Sequence, residues 1–203
     1  MIETANDVSI CSNALLSLGA KPIASFDEAT YEPNLDRAKL CAGIYPGLKK
    51  SILRGHPWNC AIKRVQLSPD AAAPVFGFRS RFLLPGDWLR TLAVGDERNG
   101  QRITYRSEGR YLLSDEVVFP LVYIADVPEN EWDSLLVDVM TAAMAVRLAY
   151  PITSSGSIVE LKTAELRNLM DKARAVDGQD DPPETLGDFP LLAARAGGYG
   201  RVW

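Results

Sequence analysis

Apolar residues recur every three or four positions in four segments of the chain. These segments span residues 8–18, 38–52, 132–150 and 159–173. A repeat of that period places the apolar side chains on one face of an α-helix, so the pattern predicts four helices. Asp7 predicts the N-cap of the first helix. Pro46 lies inside the second segment without disturbing its phase, which predicts one helix kinked at the proline.

Between the second and third helical segments the pattern changes to short apolar or alternating runs. Turn-forming residues such as Pro, Gly, Asn and Asp separate these runs, which therefore predict β-strands joined by turns. Pro120 lies inside the last run and predicts an edge strand or a bulge, because proline cannot donate a hydrogen bond to a neighbouring strand. The runs cover residues 61–67, 88–94, 103–106, 110–113 and 117–124.

Helices at both ends of the chain and strands between them predict an α+β protein. We expect a four-helix platform with an inserted small antiparallel β domain and an extended C-terminal arm. The outer helices must pack on each other, because neither pair alone buries much apolar surface. The predicted platform comprises residues 1–57 and 128–176, the β domain residues 58–127, and the arm residues 177–203.

Charge and cysteine content narrow the class of protein. The chain has 22 Lys and Arg against 26 Asp and Glu, and its net charge of −4 gives no overall basic field to hold nucleic acid. The three cysteines are widely spaced and predict reduced core thiols rather than a disulfide framework. No run approaches the roughly 18 apolar residues of a membrane span, and no signal peptide is apparent. We therefore expect a soluble, non-exported protein without a membrane partner.

Candidate catalytic residues do not form a convergent set in the sequence. His56 is the only histidine, and Pro57 disrupts any helical register between it and Cys60. We therefore predict a packing or capping role for His56 rather than a Cys–His nucleophile. Carboxylate pairs such as Asp115 and Glu116 fall in predicted turns, where solvated charge is the simpler interpretation. The sequence predicts no catalytic residue, no metal ligand and no cofactor.

Basic residues gather around the end of the second helix and the first predicted strand. They are Lys49, Lys50, Arg54, Lys63 and Arg64. Two interpretations stay open. The residues form a solvated surface of mixed charge, or they pair with acidic residues of a neighbouring subunit.

The segment 177–203 combines large apolar side chains with residues that break regular structure. Pro182-Pro183 and Pro190 interrupt helices and strands, yet disordered tails are normally poor in large apolar residues. We predict that the segment is an arm that orders against another molecule, or alternatively back across its own domain. Its apolar residues are Leu186, Phe189, Leu191, Leu192, Tyr199 and Trp203.

Several short motifs are spread along the chain. They are NALLSLG at 13–19 followed by Pro22, HPWN at 56–59, LPGDWLR at 84–90, EGR at 108–110 with LSD at 113–115, YI at 123–124, and the helical residues 142–149. Each motif is weak alone, but the ordered set, over about residues 8 to 175, resembles the tail tubular protein A family, the head-to-tail adaptors of short-tailed phages and related prophages. Cys60 and Gly86 depart from the pattern, because the family often has an aromatic and an acidic residue there.

The resemblance implies a non-enzymatic structural protein of the virion tail or neck, assembled in the host cytoplasm. In such adaptors twelve copies form a ring beneath the portal protein, and the opposite face receives the nozzle or another distal tail protein. DNA passes through the lumen only transiently. On this basis the six apolar arm residues bind the portal, and His56, Pro57 and Trp58 form a structural hinge between platform and β domain.

Two other functions stay open at this stage. One is a tail-associated cell-wall hydrolase that uses Glu or Asp. The other is a tail terminator or stopper protein of the neck, which a hexameric rather than twelvefold stoichiometry would distinguish.

Overall fold

The fold is α+β, as the sequence predicts. The computed structural model describes residues 5–27, 36–95 and 103–180. This part of the chain contains four helices and two small antiparallel sheets. The elements follow in the order α1 (Asp7–Ser17), α2 (Arg37–Gly55), β1 (Ile62–Leu67), β2 (Ser80–Leu83), β3 (Trp88–Val94), β4 (Tyr105–Glu108), β5 (Tyr111–Ser114), β6 (Phe119–Ala125), α3 (Ser134–Thr153) and α4 (Gly156–Asp177).

The N-cap of α1 is Asn6, and the prediction of Asp7 is wrong by one residue. Asn6 Oδ1 accepts a 2.8 Å hydrogen bond from the Ser9 N–H, and the Ser9 hydroxyl accepts a 3.0 Å bond from the Asn6 N–H. This reciprocal pair is a capping box. Asp7 becomes the first helical residue, where its charge lies favourably at the positive end of the helix dipole.

The second helix continues through its internal proline. Pro46 is on the exposed side of α2, so the buried face keeps its phase across it. Cys41 and Tyr45 precede the proline on this face and Leu53 follows it, and all three are buried. One helix therefore contributes to the core over its whole length.

The central helix is α3, which packs against α1, α2 and α4. Leu136 faces a core shared with the strands, and Met140 and Met144 face a second core shared with α1 and α2. α3 is long and apolar enough to cross a membrane by length and composition, a test that a buried core helix also passes. Packing on two sides accounts for its apolar composition.

The strands form two separate three-stranded antiparallel sheets, in the orders β1-β6-β3 and β2-β5-β4. Since β6 is a central strand, the prediction that Pro120 marks an edge strand is wrong. Pro120 is the second residue of β6 and pairs in register with Gln66 of β1. Its carbonyl accepts a 3.0 Å hydrogen bond from the Gly95 N–H. A missing donor is tolerated near a strand end, and the register irregularities of this sheet lie along β3 instead.

One hydrophobic core crosses the predicted boundary between helices and strands. Leu53, Leu136 and Ala173 contribute to it from three helices. Phe82 of one sheet and Phe119 of the other pack with their ring centroids 5.0 Å apart. The division into residues 58–127 and the flanking helices stays a prediction, but the shared core couples the two parts energetically.

We expect Leu136→Ala to lower the free energy of unfolding by about 2–5 kcal/mol, because it leaves a cavity in the shared core. Thermal unfolding followed by far-ultraviolet circular dichroism and by tryptophan fluorescence should show both midpoints falling together. The exposed Leu161→Ala is the control and should change stability by less than about 0.5 kcal/mol. Separate midpoints for the two signals would contradict the coupling.

Candidate functional site

The chain changes direction between α2 and β1 at His56, Pro57 and Trp58. His56 is the C-cap of α2 and has an extended backbone, with φ −141° and ψ 147°. A proline at the next position favours this conformation, because its ring clashes with a preceding helical residue. The Trp58 N–H donates a 3.0 Å hydrogen bond to the His56 carbonyl, which closes a tight turn around Pro57.

Trp58 anchors this turn in the shared core. Its side chain is buried, and the indole Nε1 donates a 3.2 Å hydrogen bond to the Ile52 carbonyl in the last turns of α2. The His56 ring meets the indole edge-on, with centroids 4.6 Å apart. Burial and a satisfied indole N–H hold the turn in one geometry. The hinge role assigned to these three residues stays a prediction.

The same turn binds the C-terminal end of α4 through Asp177. Asp177 Oδ2 lies 3.3 Å from His56 Nε2, and Oδ1 accepts a 3.1 Å hydrogen bond from the Asn59 N–H. The Asn59 side-chain amide donates a 2.6 Å bond to the Asp177 carbonyl. We call His56, Pro57, Trp58, Asn59 and Asp177 the junction. It joins residues about 120 positions apart and fixes the place where the chain leaves α4.

An acidic residue is normally unfavourable at the C-terminal end of a helix, where the dipole is negative. At the junction the two donors of Asn59 and the His56 ring nitrogen compensate Asp177. This pairing was not predicted from the sequence. One sequence feature could have indicated it. Asp177 is an acidic residue at the end of α4, where basic residues such as Arg174 are favoured.

The junction brings a histidine and a carboxylate together, which are two of the three members of a nucleophilic triad. Cys60 is the nearby thiol, and burial followed by the negative charge of Asp177 raises its pKa above the usual range. A raised pKa disfavours the thiolate that nucleophilic chemistry needs. The geometry therefore agrees with packing and hydrogen-bonding roles for His56 and Cys60.

Much of the predicted basic cluster is paired within the chain. Lys49 Nζ lies 3.3 Å from Asp126 and 3.1 Å from Glu129, which also accepts a 2.9 Å hydrogen bond from the Tyr45 hydroxyl. The guanidinium of Arg54 donates to the Leu89 carbonyl. These contacts tie α2 to the first sheet and to the segment before α3, so these side chains have intramolecular roles.

A third polar cluster lies on the first sheet and consists of Lys63, Asp87 and Tyr123. Lys63 Nζ is 3.0 Å from Asp87 Oδ2, and the Tyr123 hydroxyl donates a 3.1 Å bond to Oδ1. Burial alone raises the pKa of Asp87, but the Lys63 and Tyr123 hydrogen bonds outweigh it and leave the pKa lowered. Burial, and then the charge of Asp87, raises the pKa of Tyr123 to about 12.

Within residues 5–27, 36–95 and 103–180, no group of three or more His, Cys, Asp or Glu side chains is placed to hold a metal ion. The arm residues Leu186, Phe189, Leu191, Leu192, Tyr199 and Trp203 lie outside the described residues. The last of the described residues is 180, shortly after Asp177 of the junction.

Comparison of the chain with protein-family models and with curated proteins finds no match.

We expect Asp177→Ala to lower the free energy of unfolding by about 1–3 kcal/mol, because it leaves the part-buried Asn59 N–H without its acceptor. Urea denaturation gives the value directly. Asp171→Ala removes an exposed carboxylate from the same helix and is the matched control, with an expected change within about 0.5 kcal/mol. Equal losses in the two variants would show that the junction does not stabilise the fold.

The Tyr123 cluster predicts a loss of stability in alkali. The pKa of Tyr123 rises from 10.0 to about 12 on folding. Its contribution to the free energy of unfolding is therefore fully present below pH 10 and is lost as pH rises through about 12. We expect the unfolding free energy to fall between pH 9 and pH 12, roughly the interval set by these pKa values. Tyr123→Phe should show a smaller fall in urea denaturation over the same range. Tyr105→Phe, which removes an exposed phenol, controls for the substitution, and identical falls in wild type and Tyr123→Phe would refute the assignment.

Proposed function

We propose that this chain is a structural head-to-tail adaptor of a phage virion. In this proposal twelve copies form a ring between the portal and the nozzle or another distal tail protein, with DNA passing through the lumen. The chain acts in the tail or neck of the virion, assembles in the host cytoplasm, and is not an enzyme. The observation that carries the proposal is the junction, which fixes the origin of the arm.

The junction supports an assembly role because it fixes the end of α4, after which the arm begins. Asp177 is held to Asn59 and His56 at the last turn of α4, and the Gly178 N–H closes that turn with a 3.1 Å bond to the Arg174 carbonyl. An arm with a fixed origin searches a smaller volume for its partner. Its effective concentration at a docking site is therefore higher.

The finer architecture belongs to the same proposal. α1, α2, α3 and α4 form the platform of the ring subunit, and the two sheets form the inserted β domain. The shared core around Leu136 keeps the two parts in one orientation. A ring requires this, because each subunit must present the same two faces to its neighbours.

The charge of the chain suits a passage for DNA. A net charge of −4 does not favour tight binding of phosphates, so DNA would move past the subunit without being held. Lys49 and Lys63 are already paired with carboxylates of their own chain. Contact with DNA is therefore transient in this proposal.

The arm supplies the contact with the portal. Each of its six large apolar side chains would contribute roughly 1.5–3 kcal/mol on burial, before the cost of ordering the segment. That cost leaves a weak contact for one subunit, but repetition around a ring gives strong avidity. Mixing the purified protein with the portal ring and measuring the mass of the complex tests the proposal. Twelve subunits per portal support it, six favour a terminator or stopper protein, and none contradicts it.

Deletion of residues 181–203 should abolish binding to the portal and leave the melting temperature unchanged. The cut lies after residue 180 because Gly178 and Gln179 donate hydrogen bonds that complete the end of α4. Scanning calorimetry of the monomer and sedimentation with portal rings measure the two effects. A large drop in melting temperature would instead show that the arm folds back on its own domain.

A full-length variant with Leu186, Phe189, Leu191 and Leu192 replaced by Ser controls for chain length. It keeps the arm but removes four of its six apolar anchors, so we expect it to lose portal binding as the deletion does. Normal binding by this variant would contradict the assignment of these residues to docking.

A further inference from the structure

The loop between β1 and β2 presents two large apolar side chains to solvent. Val75 is 96% exposed and Phe76 is 85% exposed. Such exposure is unusual for adjacent apolar residues in an ordered loop and is typical of a contact surface. We call Val75 and Phe76 the loop tip.

Polar contacts hold the base of this loop in place. The Asp70 N–H donates a 2.8 Å bond to the Arg81 carbonyl, and the two side chains form an ion pair at 3.2 Å. On the other side the Arg79 N–H donates a 2.8 Å bond to Asp115 Oδ1. These bonds fix both ends of the loop and so lower the cost of ordering the loop tip on binding.

A complementary depression of about 310 Å³ lies on the helices, between α2 and α3. Ile44, Gly47, Leu48 and Ser51 of α2 line it, together with Arg147 of α3. A Cβ atom added at Gly47 would meet nothing within 4 Å. The packing of the chain therefore does not require a glycine here, and the space above Gly47 is open. We call these five residues the helical groove.

We propose that the loop tip of one copy of the chain inserts into the helical groove of the next copy. The inference rests on the proposed ring and names its subunit contact. Phe76 would lie against Ile44 and Leu48, with the guanidinium of Arg147 over the ring as a cation–π partner. The tip and the groove are different patches, so the contact is heterologous, as ring formation requires.

Charge complementarity selects a second copy as the occupant. Arg147 is exposed and forms no ion pair with any described residue, and it is the only charged residue lining the groove. The carboxylate of Glu108 lines the same depression as Val75 and Phe76, and Asp115 accepts a hydrogen bond from the Arg79 N–H at the base of the loop. Docking the tip brings these carboxylates to the rim that holds Arg147.

The pairwise contact is expected to be weak. A buried aromatic side chain covers about 150–250 Å², far below the roughly 1,200 Å² of a stable interface. Closure of a ring, or the portal surface, must add the remaining stability. The test must therefore trap a transient contact rather than measure a stable dimer.

Disulfide trapping between two variants, each carrying one added cysteine, provides this test. Val75→Cys, which leaves Phe76 in place, and Gly47→Cys are mixed in equal amounts and treated with a mild oxidant, so that a 75–47 bond can form only between copies. The wild type reports the background from Cys11, Cys41 and Cys60, of which the first two are buried. Val75→Cys mixed with Leu161→Cys, an exposed position on α4, reports random collision.

We expect the 75–47 bond to form about tenfold faster than the 75–161 bond, which corresponds to about 1.4 kcal/mol of preference. Arg147→Glu should reduce this rate to the collision level, and Glu108→Arg in the partner should restore it. Equal rates for the two pairs overturn the proposal. So does a predominant 75–75 bond, which would indicate a tip-to-tip contact.

Repeating the reaction on the complex with the portal separates this inference from the proposed function. Portal binding without the 75–47 bond refutes the subunit contact and leaves the adaptor function standing. The 75–47 bond without portal binding supports the contact and refutes the adaptor function.

Discussion

Burial of α3 on two sides constrains the rest of the structure. Neither three-stranded sheet is large enough to bury its own apolar face, so Phe82 and Phe119 need a helical partner. Leu53 of α2, Leu136 of α3 and Ala173 of α4 belong to the same core as these rings, while Met140 and Met144, one and two turns after Leu136, close the second core against α1 and α2. Because one rigid helix serves both cores, the strands and the outer helices cannot move independently of it. The apolar composition of α3 follows from this position.

That fixed frame gives the junction its physical significance. Asp177 would be unfavourable at the end of an isolated α4, and it is tolerated because α3 holds α4 where Asn59 and His56 can reach its carboxylate. Trp58 is fixed by the same core through its buried indole. The packing of the helices therefore creates a polar contact that the local sequence opposes. This contact in turn determines where the chain leaves the folded body.

Local patterns predicted the features that depend on local physics. The four helices follow from apolar period, and five of the six strands correspond to short apolar runs between turns. β2 has no predicted counterpart, because Ser80–Leu83 follows a loop in which Phe76 and Phe78 obscure its alternation. The prediction of an edge strand at Pro120 was wrong, because a proline without an N–H donor is tolerated near a strand end as well as in an edge strand. The Asp177 pairing spans about 120 residues, and no local period encodes a contact of that range.

The loop that carries Val75 and Phe76 shows how a small apolar contact can contribute to assembly. Polar bonds within the chain hold the base of this loop, so part of the entropy of ordering is lost during folding rather than during assembly. A weak apolar contact can then suffice, because less of its free energy is spent on ordering the loop. The net negative charge opposes random association of free subunits. Association then depends on local pairing, in which Arg147 of one copy, which has no ion-pair partner among the described residues, meets Glu108 near the loop tip of another.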